Sequence, residues 1–157
     1  GRSVFGEINV DKMKDTPIAL TLEPIVQATC EACEAIREAD LIILGPGSFL
    51  TSIMPPLLLP KIAKALAETK AEVILIDNLT EEPSPIANVN LQQKLAWCHQ
   101  VLGLKIIDKV LSHSDNPYQQ GQVSYYPLRS SHHRGLHDKR ALAAPIAEMI
   151  PQKLSVA

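Results

Sequence analysis

The stretch of residues 41–52 constrains the fold most, because it reads LIILGPGSFLTS and turns an apolar strand directly into a glycine-rich loop. Its first part, Leu41–Leu44, is a continuous apolar run, which is typical of a strand covered on both faces in a parallel sheet. The Gly-Pro-Gly-Ser that follows lets the backbone turn sharply and approach a ligand closely. Ligands of open α/β sheets bind at the carboxyl ends of strands, so the turn predicts an anion site.

Backbone N–H groups around Gly47 are predicted to cradle a diphosphate, while neighbouring hydroxyls close on its oxygens. Such a cradle needs no charged side chain, which agrees with the absence of lysine close to the turn in the sequence. Replacing Gly47 by Val is therefore expected to reduce affinity more than folding. The alternative is a tight strand–helix connection that binds nothing, and the turn is neither a dinucleotide fingerprint nor a P-loop. The predicted ligand-binding residues of the turn are Gly45, Pro46, Gly47, Ser48, Thr51 and Ser52.

Asp77 and Asn78 form a second polar group, directly after the apolar run Glu72–Ile76. Because the carboxyl ends of neighbouring parallel strands share one rim, this pair and the glycine turn are expected to face the same ligand. The Asn78 amide both donates and accepts, which suits a base edge or a sugar hydroxyl, although Asn also shapes turns without binding. If a divalent cation accompanies the phosphates, Asp77 is the carboxylate predicted to bind it. Glu81 and Glu82, in the proline-rich loop beyond, are predicted to be solvated rather than catalytic.

Residues 130–140, SSHHRGLHDKR, hold the densest cluster of His and Arg in the chain. Imidazole and carboxylate groups suit a metal, but the spacing favours a solvated loop leading into a helix that Asp138 caps. No metal ligands and no nucleophile–base pair are predicted, so the catalytic residues stay unknown. Cys30 and Cys33 match a redox spacing, yet Cys33 lies on a helical apolar stripe that favours a place in the core.

Residues 39–55 resemble the signature of the bacterial gluconeogenesis-factor family, which is related to 2-phospho-L-lactate transferase and shares its Rossmann-like fold. The transferase branch resembles a Gly-Pro-Ser-Asn-Pro version of the turn, so the Gly-Pro-Gly-Ser of this chain favours the gluconeogenesis-factor branch. The resemblance implies UDP-sugar binding and a regulatory role in carbon metabolism and cell shape, without an established reaction. A phosphotransferase and a structural half-domain with no independent ligand are the alternatives. Other stretches that agree are Gly6 and Glu7, Asp77 to Leu79, and His137 with Asp138.

The resemblance adds His137 and Asp138 to the predicted ligand-binding residues. In the family an Arg commonly precedes the His-Asp pair and is linked to ligand phosphates. Leu136 stands at that position in this chain, which leaves Arg134 or Arg140 as substitutes.

Family members also carry an N-terminal half with a glycine-rich nucleotide-binding opening, whereas this chain begins at Gly1 without one. The resemblance therefore implies that residues 1–157 are a single α/β domain, the C-terminal half of a three-layer, mostly parallel Rossmann-like fold. Half of a fold leaves apolar surface uncovered, so we expect a homo-oligomer or contact with the N-terminal portion. Trp97 lies off the core stripe of its helix and is either surface cover or an anchor for such a contact.

Composition narrows the class of protein further. A net charge of −2 and an aromatic content of 4% argue against a nucleic-acid platform, which needs a basic face and stacking rings. No apolar run approaches the roughly 20 residues of a membrane-spanning helix, and no signal peptide opens the chain. A cytoplasmic location without a membrane partner is therefore expected.

Hydrophobic periodicity predicts the remaining elements. The segments Leu41–Leu44 and Glu72–Ile76 are predicted to be neighbouring or near-neighbouring parallel strands, each buried on both faces. Further strands are predicted at 4–10, 18–22, 106–111 and 122–128, with a polar loop at 113–121. Four helices are predicted. The first covers 24–38, and the second has an apolar stripe of Leu58, Ile62, Ala65 and Leu66. The third follows a cap at Asn88 or Asn90 and has a stripe of Leu91, Leu95, Cys98 and Leu102, whereas the fourth follows Asp138, with Leu142, Ile146 and Met149 facing inward and Pro145 as a kink or start.

Overall fold

A five-stranded sheet organises residues 3–150, which are the residues that this computed structural model describes. Its strands are β1 (Leu41–Leu44), β2 (Glu72–Ile76), β3 (Lys109–His113), β4 (Tyr118–Gln120) and β5 (Val123–Tyr126). They lie in the order β1-β2-β3-β5-β4, with β4 antiparallel to β5 and all other neighbours parallel. The predicted domain of residues 1–157, with its first residue Gly1, extends beyond the described residues at both ends.

Capping side chains mark the start of three of the helices among the described residues. The helices are α1 (Glu7–Asp11), α2 (Cys30–Glu38), α3 (Met54–Leu57), α4 (Pro60–Glu68), α5 (Leu91–Leu102) and α6 (Lys139–Met149), and a π-helical turn, Phe49–Ile53, runs directly into α3. Thr29 caps α2, Asn90 forms a capping box with Gln93 at α5, and Asp138 caps α6. Within residues 3–150 no single helix is long and apolar enough to cross a membrane; Phe49–Leu57 and Pro60–Glu68 meet that criterion only as a pair, bent by 76°.

The two faces of the sheet are covered unequally. Because side chains alternate along a strand, Val73 and Leu75 of β2 point to one face and Ile74 to the other. The first, which we call the broad face, packs against the π-helical turn and α2 to α5 in one large cluster. The second, which we call the narrow face, carries a small cluster to which α6 is the contributing helix among the described residues. Helices on both faces of a mostly parallel sheet confirm the predicted α/β three-layer architecture.

β1 and β2 are adjacent and parallel, as predicted, and Leu41 pairs with Glu72 at the start of the register. The prediction that both are buried on both faces is right for β2 and wrong for β1. β1 is the edge strand of the sheet, and its Ile43 is 44% exposed. The physical reason is that α6 packs over Ile74 and Leu111, in the middle of the narrow face, and leaves Ile43 uncovered.

The first thirty residues differ most from the sequence-based expectation. The predicted strand at 4–10 is instead the short helix α1, in which the Val10 N–H bonds the Gly6 carbonyl. The predicted strand at 18–22 has no regular structure, and its Ile18 is exposed. Both segments alternate in hydrophobicity but have no neighbouring strand to pair with in residues 3–150. The helix predicted from residue 24 begins only at Cys30, after the Thr29 cap.

Other predicted elements hold with shifted ends. The third strand starts at Lys109 and not at Ile106, while the two apolar residues Ile106 and Ile107 are buried in the core before it. β4 lies inside the predicted polar loop, where the Tyr118 ring stacks on Tyr125 at 4.1 Å between ring centroids. Pro145 lies inside α6 and does not start it.

The cysteines confirm a core role for Cys33. Cys33 and Cys98 are buried and free, whereas Cys30 is exposed. Burial raises the pKa of the Cys98 thiol to about 12, which leaves it protonated and unreactive.

Candidate functional site

The structure brings the two predicted polar groups together at the carboxyl ends of β1 and β2. The Asn78 Nδ2 donates a hydrogen bond to the Gly47 carbonyl oxygen at 3.0 Å. Asn78 therefore holds the glycine turn and lies directly beside it. The second amide hydrogen and the carbonyl oxygen of its side chain are one further donor and one acceptor at this position. The adjacency follows from the parallel pairing of the two strands.

The glycine turn needs its glycines for internal packing. Gly45 has a φ of +79°, and a Cβ there would lie 3.0 Å from Ile53 Cδ1 and 3.2 Å from the Ile76 carbonyl oxygen. A Cβ on Gly47 would lie 3.2 Å from Ser52 Cβ. The expectation that Gly47→Val reduces affinity more than folding stays a prediction, and its cost to folding depends on how far the Ser52 side chain can shift.

Two carboxylates lie against donors in the second half of the turn, where Thr51 Oγ1 also donates to Ser48 Oγ at 2.8 Å. The Phe49 N–H donates to Glu82, with Oε1 at 3.1 Å and Oε2 at 3.2 Å from the amide nitrogen. Thr51 Oγ1 lies 3.3 Å from both carboxylate oxygens of Asp11, and Ser48 Oγ lies 3.5 Å from Asp11 Oδ1. The prediction of a solvated loop is right for Glu81, which is exposed, and wrong for Glu82, which is half-buried and hydrogen-bonded. Neither Asp11 nor Glu82 carries a local sequence signal for this role.

Asp77 is held by a hydrogen bond from the neighbouring strand β3. Its Oδ2 accepts a hydrogen bond from Ser112 Oγ at 2.9 Å, and Ser112 is buried. Burial lowers the pKa of the nearby His137, an effect that the charge of His113 reinforces and that a hydrogen bond to the Asp77 backbone opposes. Within the described residues, His137 Nε2 is buried without a hydrogen-bond partner. Asp77, Ser112, His113 and His137 thus form one polar cluster behind the rim.

Asp138 acts as a helix cap. Its Oδ1 accepts hydrogen bonds from the N–H groups of Arg140 at 3.0 Å and Ala141 at 2.9 Å. The side chains proposed to supply the basic contact, Arg134 and Arg140, are exposed, as is Leu136. Across residues 3–150, no three His, Cys, Asp or Glu side chains are grouped closely enough to hold a metal ion.

A cleft of about 470 Å³ opens beside the turn, between β2 and the start of α5. Lys94 is half-buried and is the cationic residue among those that line it, and Lys94 also lines a second pocket of about 20 Å³ with Gly47 and Phe49. Sequence reasoning missed Lys94, since it lies far from the turn along the chain and merely flanks the apolar stripe of α5. The cleft is lined by Asp77, Asn78, Leu79, Thr80, Glu81, Glu82, Ala87, Asn88, Val89, Asn90 and Lys94.

A mostly parallel sheet with helices on both faces, and with a glycine turn and a polar pair at the ends of two neighbouring strands, defines a Rossmann-like α/β fold. Comparison with known families places it more narrowly. Residues 1–155 match the family described as 2-phospho-L-lactate transferase CofD, and the chain belongs to this family.

Named relatives agree with this assignment. The chain is 39% identical over 154 residues to a Pasteurella multocida protein named "Putative gluconeogenesis factor", and covers 50% of it with 96% of its own length. It is 42% identical over 153 residues to a Vibrio cholerae protein of the same name, with 96% of this chain and 52% of that protein covered. The chain thus spans about half the length of the curated relatives it matches. The predicted resemblance to gluconeogenesis factors is confirmed.

The fold is shared with a solved structure. A Bacillus halodurans protein, described as a member of the upf0052 family, matches with a TM-score of 0.53 and 27% sequence identity. The match covers 78% of this chain and 39% of that chain. This likeness confirms the Rossmann-like architecture and again matches this chain to less than half of a longer protein.

Proposed function

We propose that the cleft at the carboxyl ends of β1 and β2 binds a nucleotide sugar of the UDP-sugar class, and that the protein regulates carbon metabolism and cell shape through this ligand. The observation that carries the proposal is that Asn78, which donates a hydrogen bond to Gly47 of the glycine turn, and Lys94 both line a cleft of about 470 Å³, while Gly47 lines the small pocket next to it. The shared name of the relatives, "Putative gluconeogenesis factor", supports the metabolic part.

Each part of such a ligand has a chemically suitable partner in the cleft. The Lys94 ammonium attracts phosphate oxygens as a compact positive charge. The side-chain amides of Asn78 and Asn88 offer both donors and acceptors, which suit a base edge or sugar hydroxyls. Asp77 supplies a carboxylate, so a divalent cation bound with the diphosphate would take its other oxygen ligands from the phosphates.

A second candidate is transfer of a phosphorus-containing group, as in the enzyme after which the family is described. Incubating the protein with a nucleotide conjugate and acceptor hydroxyl compounds, and following release of the free nucleotide, tests it directly. Turnover that depends on the acceptor would favour the transferase, whereas saturable binding without turnover favours the regulatory protein. The third candidate is a structural half-domain that binds no ligand by itself. The absence of any UDP-sugar binding in a titration would support it.

We also propose that the open edge of β1 is a contact surface for a second subunit or for the part of the longer relatives that lies outside their match to this chain. The apolar side chain of Ile43 supports it, since it lies on the edge strand and is 44% exposed. Light scattering of the purified protein over a range of concentrations tests for contact with a second subunit.

The binding proposal is tested by calorimetric titration with UDP-sugars, GDP and NAD. Lys94→Gln is expected to weaken UDP-sugar binding by about tenfold, since it removes the cleft's positive charge but keeps most of the side chain's length. Lys61→Gln is the matched control, because Lys61 is an exposed lysine on α4 away from the cleft. Equal affinity for the wild type and Lys94→Gln, or no heat with any UDP-sugar, would contradict the proposal.

A further inference from the structure

Glu82 lies where an anionic ligand group would have to bind the glycine turn. Both of its carboxylate oxygens are within 3.2 Å of the Phe49 amide nitrogen, and Ser84 Oγ lies 3.4 Å from Oε1. Glu82 is half-buried and lines both the cleft and the small pocket next to it. Its carboxylate is thus held by a long-range contact to the glycine turn and by a local one to Ser84, which distinguishes it from a solvated loop side chain.

A carboxylate and a phosphate oxygen are alternative acceptors for the same N–H group. Both are anionic, and each forms a short, charge-assisted hydrogen bond with a backbone amide. Two such anions side by side repel each other, so a phosphate reaches the Phe49 N–H only when Glu82 has left it. The two hydroxyls of the turn differ from this amide, since Thr51 Oγ1 donates to Ser48 Oγ at 2.8 Å and both hydroxyls lie 3.3 to 3.5 Å from the Asp11 carboxylate.

We infer that Glu82 is a built-in competitor of the ligand's diphosphate for the Phe49 amide, and so a residue that sets the affinity and selectivity of the cleft. This inference rests on the proposed nucleotide-sugar function. In the ligand-free protein the carboxylate satisfies the amide. When a diphosphate binds, it displaces Glu82 from the amide and has Lys94, which lines the same small pocket, as its positive partner.

The competition also determines which ligands bind. A nucleoside or a free sugar has no diphosphate. It therefore cannot give the Phe49 N–H a hydrogen bond as strong as the charge-assisted one to Glu82, and Glu82 stays in place. A nucleoside diphosphate supplies that replacement. Removing the Glu82 carboxylate should therefore help diphosphate ligands most, and should change uridine binding little.

The test compares Glu82→Ala, Glu82→Gln and Glu81→Ala with the wild type, with UDP and uridine as probes. We expect Glu82→Ala to bind UDP about tenfold more tightly than the wild type, and Glu82→Gln to gain less, because Gln still accepts from the amide without a charge. Glu81→Ala removes the same charge from the same loop without an amide contact, so it measures the purely electrostatic part of the gain. The amide resonance of Phe49 should shift when UDP is added to the wild type.

The outcomes separate the possible failures. If the wild type binds UDP but Glu82→Ala gains no more than Glu81→Ala, or the Phe49 resonance does not move, the inference is overturned while the proposed function stands. If neither the wild type nor Glu82→Ala binds UDP, the proposed function is overturned and the inference falls with it. If Glu82→Ala does not fold, Glu82→Gln decides, since it keeps the hydrogen bond to the turn.

Discussion

The two faces of the sheet present the same kind of strand residue but are covered very differently. On the broad face, Val73 and Leu75 of β2 lie in a cluster that extends over four helices and the π-helical turn. On the narrow face, Ile74 lies under α6, while its register partner Ile43 on β1 is 44% exposed. An apolar residue in a parallel strand is thus buried only where a helix reaches it, and the sequence pattern of the strand does not reveal how far the helix reaches.

Substituting the two register partners tests this difference most strongly. Ile74→Ala should reduce the free energy of unfolding by about 2–5 kcal/mol, because it leaves a cavity in a fully buried site. Ile43→Ala should cost about 1 kcal/mol or less, since much of its surface is already in water. Urea unfolding of both variants measures the difference.

Equal losses for Ile74→Ala and Ile43→Ala would break the comparison. They would mean that Ile43 is covered in solution, and the proposed contact at the β1 edge would then be the first explanation to examine. A loss for Ile43→Ala that grows with protein concentration would identify the cover as a second subunit.

Helix caps test whether the two faces depend on their helices to the same extent. Asp138→Ala removes the cap of α6 and Asn90→Ala removes the capping box of α5, and each should cost about 1 kcal/mol. Amide exchange should rise throughout α6 in the first variant, whereas α5 has further helices beside it on the broad face and should fray only in its first turn. Asp138→Asn keeps a capping acceptor and should be close to neutral.

The same variant settles the ligand role that the sequence predicted for Asp138. If Asp138→Asn retains stability but loses UDP-sugar affinity, Asp138 contacts the ligand in addition to capping α6. If both stability and affinity are retained, capping is its whole contribution.

Lowering the pH should reduce the stability of the folded state through one histidine on each face of the sheet. This is the smallest of the expected effects. Burial lowers the pKa of His137 beside α6 and of His99 on α5 below the ordinary value of 6.5, and the charge of Lys105 adds to the effect on His99. The folded state therefore binds fewer protons than the unfolded state. The stability contribution is complete above about pH 6.5 and is lost as the pH falls from there through the folded-state pKa values.

Thermal unfolding between about pH 8 and about pH 5 measures this loss. His137→Gln and His99→Gln should each flatten part of the decline, because glutamine does not titrate in this range. A decline that keeps its full slope in both variants would assign the acid sensitivity to other groups.

The sequence predicts the centre of this molecule well because the relevant signals are local. The apolar runs of β1 and β2, the turn after Leu44 and the polar pair after Ile76 are each contiguous, and parallel pairing then brings Asn78 to Gly47. The same locality explains the errors. Residues 4–10 alternate like a strand, but a strand needs a partner, and the chain forms α1 with its own backbone instead.

The missing parts of the site all depend on long-range contacts. Asp11, Glu82 and Lys94 come from three separate segments, and nothing in their immediate neighbours marks them as residues of the glycine turn or its cleft. These three residues have roles at the rim only because folding brings them there, so the structure is needed to identify them. β4 is a similar case, since it exists through its antiparallel pairing with β5.

Trp97 gives the protein an optical property that follows from its position. It is the single tryptophan of the chain, its ring lies 6.3 Å from that of Phe49, and its Nε1 donates to the Pro17 carbonyl oxygen at 2.7 Å. Phe49 is also the residue whose N–H bonds Glu82. The fluorescence of one indole therefore reports on both the N-terminal segment and the glycine turn. In an unlabelled sample, its intensity or its emission maximum should change whenever Phe49 moves.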